Sequence, residues 1–204
     1  MSGSKSLQKI IILGAQGVGK TSLMERFVAS KFSAQYKATI GADFSTKDVL
    51  VGGDTVTLQL WDTAGQERYQ SLGTAFYRGA DACVLVYDVT DAGSFAKLET
   101  WRKAFLDAAD VKDPAGFPFV VLGNKSDLEA AKHVVQRAAV AAWCDKHGGI
   151  PHFLVSAKSG DGVEGSFIAV VTNAAARVRE EEPIIPDTLK LEEVAPAKAK
   201  GGCC

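Results

Sequence analysis

Cysteine and histidine are scarce in this chain of 204 residues, which contains four of the former and three of the latter. Cys83 and Cys144 lie singly in apolar surroundings, a pattern typical of small buried side chains in a reducing compartment. His133, His147 and His152 pair with no cysteine or glutamate at ligand spacing. The sequence therefore counts against a disulfide framework, a zinc cluster and a histidine-based nucleophilic triad.

Clustered positive charge and long apolar runs are also lacking. The formal net charge is -1, and the 23 Lys and Arg residues are scattered along the chain, so nucleic acid is not expected as a partner. No run of 18 apolar residues occurs, and no apolar segment of secretory length follows the first five residues. We expect the chain to be made and kept in the cytosol.

Apolar runs alternate with stretches of helical periodicity along most of the chain. The composition, 47% hydrophobic, suffices for one α/β domain that buries roughly 70% of its unfolded surface. This alternation predicts a mostly parallel six-stranded sheet with one antiparallel edge strand and helices on both faces. The strand-like runs are residues 9–13, 44–51, 55–61, 82–88, 117–124 and 152–156, and the helical stretches are residues 21–30, 94–108, 134–147 and 163–179.

The composition changes after residue 180. The last 25 residues hold half of the six prolines and no aromatic residue, which is typical of a solvated segment without a core of its own. We therefore predict a domain over residues 1–180 and a flexible tail over residues 181–204.

A glycine-rich segment over residues 14–21 fits G-x-x-x-x-G-K-[ST] between a predicted strand and a predicted helix. Its backbone amides are expected to bind phosphate oxygens at the positive end of the helix. Lys20 is placed to reach the β- and γ-phosphates, and the Thr21 hydroxyl to ligate Mg²⁺. The predicted nucleotide-binding residues in this region are Gly14, Gln16, Gly17, Val18, Gly19, Lys20, Thr21 and Ser22.

Asp62, Gly65 and Gln66 follow the third predicted strand. The Asp62 carboxylate is expected to hold a Mg²⁺-bound water, and the Gly65 amide to contact the γ-phosphate. Gln66 carries a neutral amide that both donates and accepts, so it is suited to orienting an attacking water.

Two further motifs at strand ends predict the choice of base. Asp127, within Asn124-Lys125-Ser126-Asp127, can accept two hydrogen bonds from guanine, whereas adenine would leave a buried carboxylate unpaired. Backbone amides of Ser156, Ala157 and Lys158 are expected near guanine O6, and lysine stems on the ring faces. Each tetrapeptide alone also fits an ordinary turn; the four motifs in order favour a guanine site. The residues assigned here are Asn124, Lys125, Asp127, Ser156, Ala157 and Lys158.

These motifs resemble the Ras-like small GTPases, whose domain is the G domain of the P-loop nucleoside triphosphatases. The finer resemblance is to the Rab family, and within it to the late-endosomal or vacuolar branch called Rab seven. It rests on residues 36–44, 61–69, 76–80, 117–125 and 142–144 and covers about residues 7–179.

The resemblance implies roles for residues outside the phosphate loop. Thr39 would coordinate Mg²⁺ and touch the γ-phosphate, Tyr36 would contact nucleotide, and Gln66, Lys20 and Thr39 would serve hydrolysis. Phe44, Trp61 and Phe76 match the aromatic triad that effectors read. The strand pattern independently places Trp61 on the polar face, which suggests a partner surface.

The resemblance also implies membrane attachment at Cys203 and Cys204 through two geranylgeranyl groups presented by an escort protein. The last 25 residues carry three Lys against six acidic residues, so no polybasic patch assists a single lipid. The implied partners are effectors, an exchange factor, a GTPase-activating protein and a GDP-dissociation inhibitor. The protein is expected to be a monomer that cycles between cytosol and the cytoplasmic face of late endosomes, lysosomes or the vacuole.

Two other classes of protein stay open at this point. A metabolic P-loop kinase or ATPase would require adenine preference, against which Asp127 and the paired terminal cysteines count. A GTP-bound scaffold with negligible turnover is favoured only by Gln16, which is bulkier than the residue usual at that position of the family. No arginine finger can be identified in the sequence, and intrinsic rates at such sites are on the order of 10⁻⁴ s⁻¹, so a trans-acting activator is implied.

Gln16 generates the first testable prediction, which is weak or altered GTP hydrolysis. A bulky side chain beside the γ-phosphate obstructs an incoming arginine or perturbs the attacking water. Single-turnover assays on the natural protein and Gln16→Ser measure the intrinsic and the activator-stimulated rates. Equal rates in the two proteins, with and without activator, would refute the prediction.

Overall fold

The computed structural model describes residues 6–65 and 74–181, and the predicted alternation of strands and helices is present there. The strands are β1 (Ser6–Leu13), β2 (Ala42–Val51), β3 (Asp54–Thr63), β4 (Ala82–Asp88), β5 (Phe119–Asn124) and β6 (His152–Leu154). The α-helices are α1 (Lys20–Ala29), α2 (Ala92–Ala96), α3 (Leu98–Ala109), α4 (Arg137–Lys146) and α5 (Val163–Glu181), and short 3₁₀ turns cover Thr74–Phe76 and Ala130–Lys132.

The six strands form one sheet in the order β2-β3-β1-β4-β5-β6. β2 pairs antiparallel with β3, and the other neighbouring strands pair in parallel. Every residue of β4 and β5 is buried, as expected for strands covered on both faces. The predicted sheet, with its antiparallel edge strand, is confirmed.

Two apolar cores fill the space between the sheet and its helices. Along β1, Ile10 and Ile12 point toward the core under α1 and α5, whereas Ile11 and Leu13 point toward the core under α3 and α4. The period of two along a strand thus divides a continuous apolar run between both faces. The cysteines that the sequence assigns to the interior, Cys83 and Cys144, are buried and free.

Two predicted helix bounds are wrong. The helix expected from residue 134 begins at Arg137, because the amides of Val134 and Val135 both donate to the Val89 carbonyl, at 3.0 and 3.2 Å, and hold this segment off the helical path. The helix expected over residues 94–108 is divided at Lys97, whose ψ of -9° departs from the helical value of about -42°.

The parallel strands bring their carboxyl ends to one edge of the sheet, where an open α/β sheet binds its ligands. All four predicted motifs lie at or after such a strand end, at β1, β3, β5 and β6. Within residues 6–65 and 74–181, no helix combines the length and the apolar character needed to cross a bilayer.

Candidate nucleotide-binding site

The phosphate loop turns sharply from β1 into α1. Gly19 has φ +95°, in the left-handed region where glycine is favoured. A Cβ at this position would lie 2.3 Å from Asn124 Nδ2, so a side chain would collide with the last residue of β5. The turn therefore needs glycine both for its backbone conformation and for its close approach to the end of a neighbouring strand.

Lys20 folds back beneath this loop. Its side chain is buried, and its ammonium donates to the carbonyls of Gly14, at 2.9 Å, and Ala15, at 3.1 Å. Burial lowers the pKa of Lys20 to about 8, and the charge of nearby Asp62 opposes that shift. A buried cation hydrogen-bonded to neutral carbonyls is arranged to receive an anion, and phosphate oxygens fit this position.

Three side-chain oxygens meet beside the start of α1. Thr21 Oγ1 donates to Asp62 Oδ2 at 2.5 Å, and Thr39 Oγ1 lies 2.9 Å from Thr21 Oγ1 and 3.2 Å from Asp62 Oδ2. Burial raises the pKa of Asp62, and the hydrogen bond from Thr21 opposes the shift. Asp62 Oδ1 is buried without a hydrogen-bond partner among the described residues. A hard cation such as Mg²⁺ fits these oxygens.

The segment before β2 lies across the phosphate loop. Gln16 Nε2 donates to Tyr36 Oη at 2.7 Å, although both residues are exposed. The amide of Ala64 donates to the Gly41 carbonyl at 2.9 Å, which joins this segment to the end of β3. Gln16, which the sequence analysis singles out, is thus in contact with the segment over residues 36–44, which the resemblance identifies as the first switch.

The end of β3 also approaches the phosphate loop. A Cβ on Gly65 would lie 2.5 Å from Lys20 Nζ and 2.6 Å from both the Ala15 oxygen and the Gln16 nitrogen. Only a residue without a side chain fits this contact. Gln66, the predicted water-orienting residue, lies outside the described residues.

Asn124 connects two loops of the candidate site through its side chain. Its Nδ2 donates to the Val18 carbonyl in the phosphate loop at 2.8 Å, and its Oδ1 accepts from the Ala157 amide at 3.1 Å. Asn124 itself is buried. The amide therefore fixes the phosphate-binding and base-binding loops relative to each other.

Asp127 lies between the two base-binding motifs. Its Oδ1 accepts from Ser156 Oγ at 2.6 Å, and its Oδ2 lies 3.8 Å from Lys158 Nζ. The residue lies at the surface, but only 17% of its side chain is exposed, so the carboxylate itself is largely covered. It occupies a loop beyond β5 that Ser156 covers on one side.

Two residues that the sequence analysis misses support these loops. Asp88 pairs with Lys125 at 2.5 Å, and the Arg26 guanidinium donates to the carbonyls of Ala157 and Lys158, at 2.8 and 2.7 Å. Asp88 ends an apolar strand, the same signal that identifies Asp62, so it was open to prediction. Arg26 lies within α1 and carries no comparable signal.

Three aromatic rings stack on one face of the β2–β3 hairpin. The Trp61 ring lies 5.2 Å from that of Phe44 and 5.1 Å from that of Phe76. Lys9 Nζ lies 5.1 Å from the Trp61 centroid. Residues 56, 58 and 60 are buried and residues 57, 59 and 61 are half-buried, which confirms the predicted division of β3 into two faces.

Comparison with known proteins gives similarity over nearly the whole chain. A family model described as the Ras family matches residues 9–176. Ras-related protein RABG3e from Arabidopsis thaliana and Ras-related protein Rab7 from Cenchrus ciliaris are each 53% identical over 204 residues, 100% of this chain and 99% of each relative. Ypt/Rab-type GTPase ypt7 from Pyricularia oryzae is 57% identical over 181 residues, 89% of this chain and 88% of that protein.

Gly19→Ala tests the contact between the phosphate loop and Asn124. We expect the affinity for GDP to fall about tenfold or more, because disrupting the hydrogen bond of a buried group costs about 1–3 kcal/mol. Titration with a fluorescent GDP analogue measures the effect.

Gly53→Ala is the matched control for that substitution. Gly53 has φ +94°, and a Cβ there meets nothing within 4 Å. The control is expected to lose about 1 kcal/mol of unfolding free energy through backbone strain and to keep its GDP affinity. Equal loss of GDP affinity in both variants would show that strain, and not the contact with Asn124, is responsible.

Proposed function

The chain belongs to the Ras family of small GTPases, and we propose that the loops at the carboxyl edge of its sheet form its guanine-nucleotide and magnesium site. It is a Rab-type small GTPase of late-endosomal and vacuolar traffic that binds GTP or GDP with Mg²⁺ and hydrolyses GTP. The observation that carries the site assignment is the convergence of buried Lys20 with the oxygens of Thr21, Thr39 and Asp62.

Phosphate binding is assigned to Lys20 and the phosphate loop. Lys20 binds β- and γ-phosphate oxygens, and the phosphate-loop amides surround them. Thr21 and Thr39 would hold Mg²⁺ directly, and Asp62 would hold it through water. The ion would supply positive charge against the phosphate groups.

Hydrolysis is assigned to residues that place a water rather than to a covalent nucleophile. Gln66 orients the water, Lys20 stabilises charge on the transferred group, and Thr39 holds the first switch against the γ-phosphate. Because no arginine of the chain is assigned to this charge, the activating protein supplies one. The rate of hydrolysis then sets how long the protein stays in the GTP state that binds its partners.

Base selection is assigned to Asp127. Its carboxylate accepts from guanine N1–H and N2–H₂, and Ser156 and Lys158 already restrain it from the β6 loop. Adenine lacks this pair of donors, so a bound ADP would leave the carboxylate unsatisfied.

Partner binding follows from the conformation of the segment that carries Thr39. Rab proteins act through effectors, exchange factors, activating proteins and a GDP-dissociation inhibitor, and this chain shares those classes of partner. In our proposal, GTP orders the Thr39 segment, and effectors read the stacked rings of Phe44, Trp61 and Phe76 in that state. Hydrolysis releases Thr39 and ends the interaction.

Membrane attachment is assigned to the tail over residues 181–204. We propose that an escort protein presents Cys203 and Cys204, which lie outside the described residues, for two geranylgeranyl additions. The monomeric protein then cycles between the cytosol and the cytoplasmic face of late-endosomal or vacuolar membranes. Two lipids are needed because a single chain gives only marginal and reversible binding.

Asp127→Ala tests the proposed choice of base. The natural protein is expected to retain GDP and reject ADP in the presence of Mg²⁺. The variant should bind GDP about hundredfold more weakly, because two hydrogen bonds to a charged acceptor are lost. Competition between GDP and ADP in calorimetry measures both affinities, with exposed Asp107→Ala as the control. Unchanged GDP affinity in Asp127→Ala would contradict the assignment.

Cys203→Ser tests the need for two lipids. We expect most of this variant in the soluble fraction of cells, because one remaining lipid binds weakly and the acidic tail adds no attraction to anionic lipid. Cell fractionation compares it with the natural protein and with Lys198→Ser, which keeps both cysteines. Full membrane retention of Cys203→Ser would overturn the two-lipid model.

A further inference from the structure

A buried carboxylate, Asp88, lies next to the base-binding loop at the end of β4. Its side chain is 9% exposed, and its Oδ2 lies 2.5 Å from Lys125 Nζ. Lys125 follows β5 directly, and its side chain is 38% exposed. Because Asp88 is paired with Asn124 in the β4–β5 register, the carboxylate stands beside the base-binding loop.

The orientation of the Asp88 carboxylate is fixed within its own turn. Oδ1 accepts from the Thr90 amide at 2.8 Å and from Thr90 Oγ1 at 2.7 Å. The Asp88 amide donates to Ser94 Oγ at 3.0 Å. With Oδ1 engaged by Thr90, Oδ2 is directed at the lysine. Burial raises the pKa of Asp88, but the bonds from Lys125 and Thr90 outweigh it and lower the pKa overall, so the group is ionised at neutral pH.

Lys125 has an unusual backbone conformation for its type. Its φ is +67°, in the left-handed region that residues with a side chain rarely occupy. Its carbonyl accepts from the Leu128 amide at 3.1 Å, which closes the turn that carries Asp127. This turn sets the direction of the Lys125 side chain, whose ammonium contacts the Asp88 carboxylate. A strained backbone conformation of this kind persists only where the surrounding structure holds it in place.

We propose that Asp88 is a positioning residue for guanine-nucleotide binding, which acts by holding Lys125 with its methylene stem along the base-binding surface. This inference rests on the proposed assignment of Lys125 to the nucleotide site. A free lysine side chain samples many rotamers and must be ordered when ligand binds. The ion pair orders it beforehand, so the stem covers the ring face without a further loss of entropy.

A double-mutant cycle on the release of GDP tests whether Asp88 acts through Lys125. The natural protein, Asp88→Asn, Lys125→Ala and the double variant are loaded with a fluorescent GDP analogue in Mg²⁺ and chased with excess GDP. Each single substitution is expected to speed release about tenfold, and the double variant should release no faster than Lys125→Ala. A merely structural role of Asp88 would instead multiply the two effects.

Asp91→Asn is the matched control, since it makes the same chemical change in the same loop. Asp91 accepts from the Gly93 amide at 2.8 Å as the N-cap of α2, and asparagine caps helices equally well. The control should release GDP at the natural rate. Thermal unfolding of all variants separates loss of fold from loss of ligand contact.

Thr90→Val keeps the test decisive if Asp88→Asn does not fold. It removes one of the two bonds that orient Asp88 and leaves the charge in place, so it should speed release about threefold alone and have no effect beside Lys125→Ala. Independent effects in either cycle, or natural release from Lys125→Ala, would overturn the inference. Failure of the natural protein to retain GDP would overturn the proposed site instead.

Discussion

The site depends on one amide, that of Asn124. Its side chain is buried at the end of β5, donates to the phosphate loop at Val18 and accepts from the β6 loop at Ala157. The proposed phosphate-binding turn and the proposed base-binding turn, far apart in the sequence, are thereby held at a fixed distance. A nucleotide that spans both turns would meet a preformed site, so little conformational entropy would be lost in ordering them when it binds.

The buried charges of Lys20 and Asp62 explain how ligand binding and stability are connected. Burial disfavours the ionised forms of both Lys20 and Asp62, and it moves their pKa values in opposite directions, downward for the lysine and upward for the aspartate. In the protein alone, these groups have one another, backbone carbonyls and threonine hydroxyls as neighbours. In the proposed site, phosphate and Mg²⁺ would supply the opposite charges, so nucleotide is expected to stabilise the folded state as well as to carry the signal.

Most of the fold and much of the site could be predicted from the sequence because the informative residues lie at the ends of apolar runs. Asp62 and Asn124 each end such a run, and the parallel topology brings these ends together. The pairing of Asp88 with Lys125 and the contact of Gln16 with Tyr36 were not predicted, since both depend on how loops fold over one another. The start of α4 at Arg137 was missed for a similar reason. The amides of Val134 and Val135 donate to the carbonyl of Val89, which directly follows β4.

The β2–β3 hairpin has a consequence for how this chain can change. In its register Phe44 lies opposite Trp61, and Asp43 opposite Asp62. Side chains alternate between faces, so a deletion of one residue within β2 would turn Phe44 to the other face of the sheet and shorten the path from Thr39 to Asp62. The aromatic surface and the oxygens of the proposed metal site therefore depend on the same segment of chain, from Thr39 to Asp62. The aromatic surface can therefore change by substitution of its side chains. Within this hairpin, an inserted residue leaves the register unchanged only in the turn at residues 52 and 53.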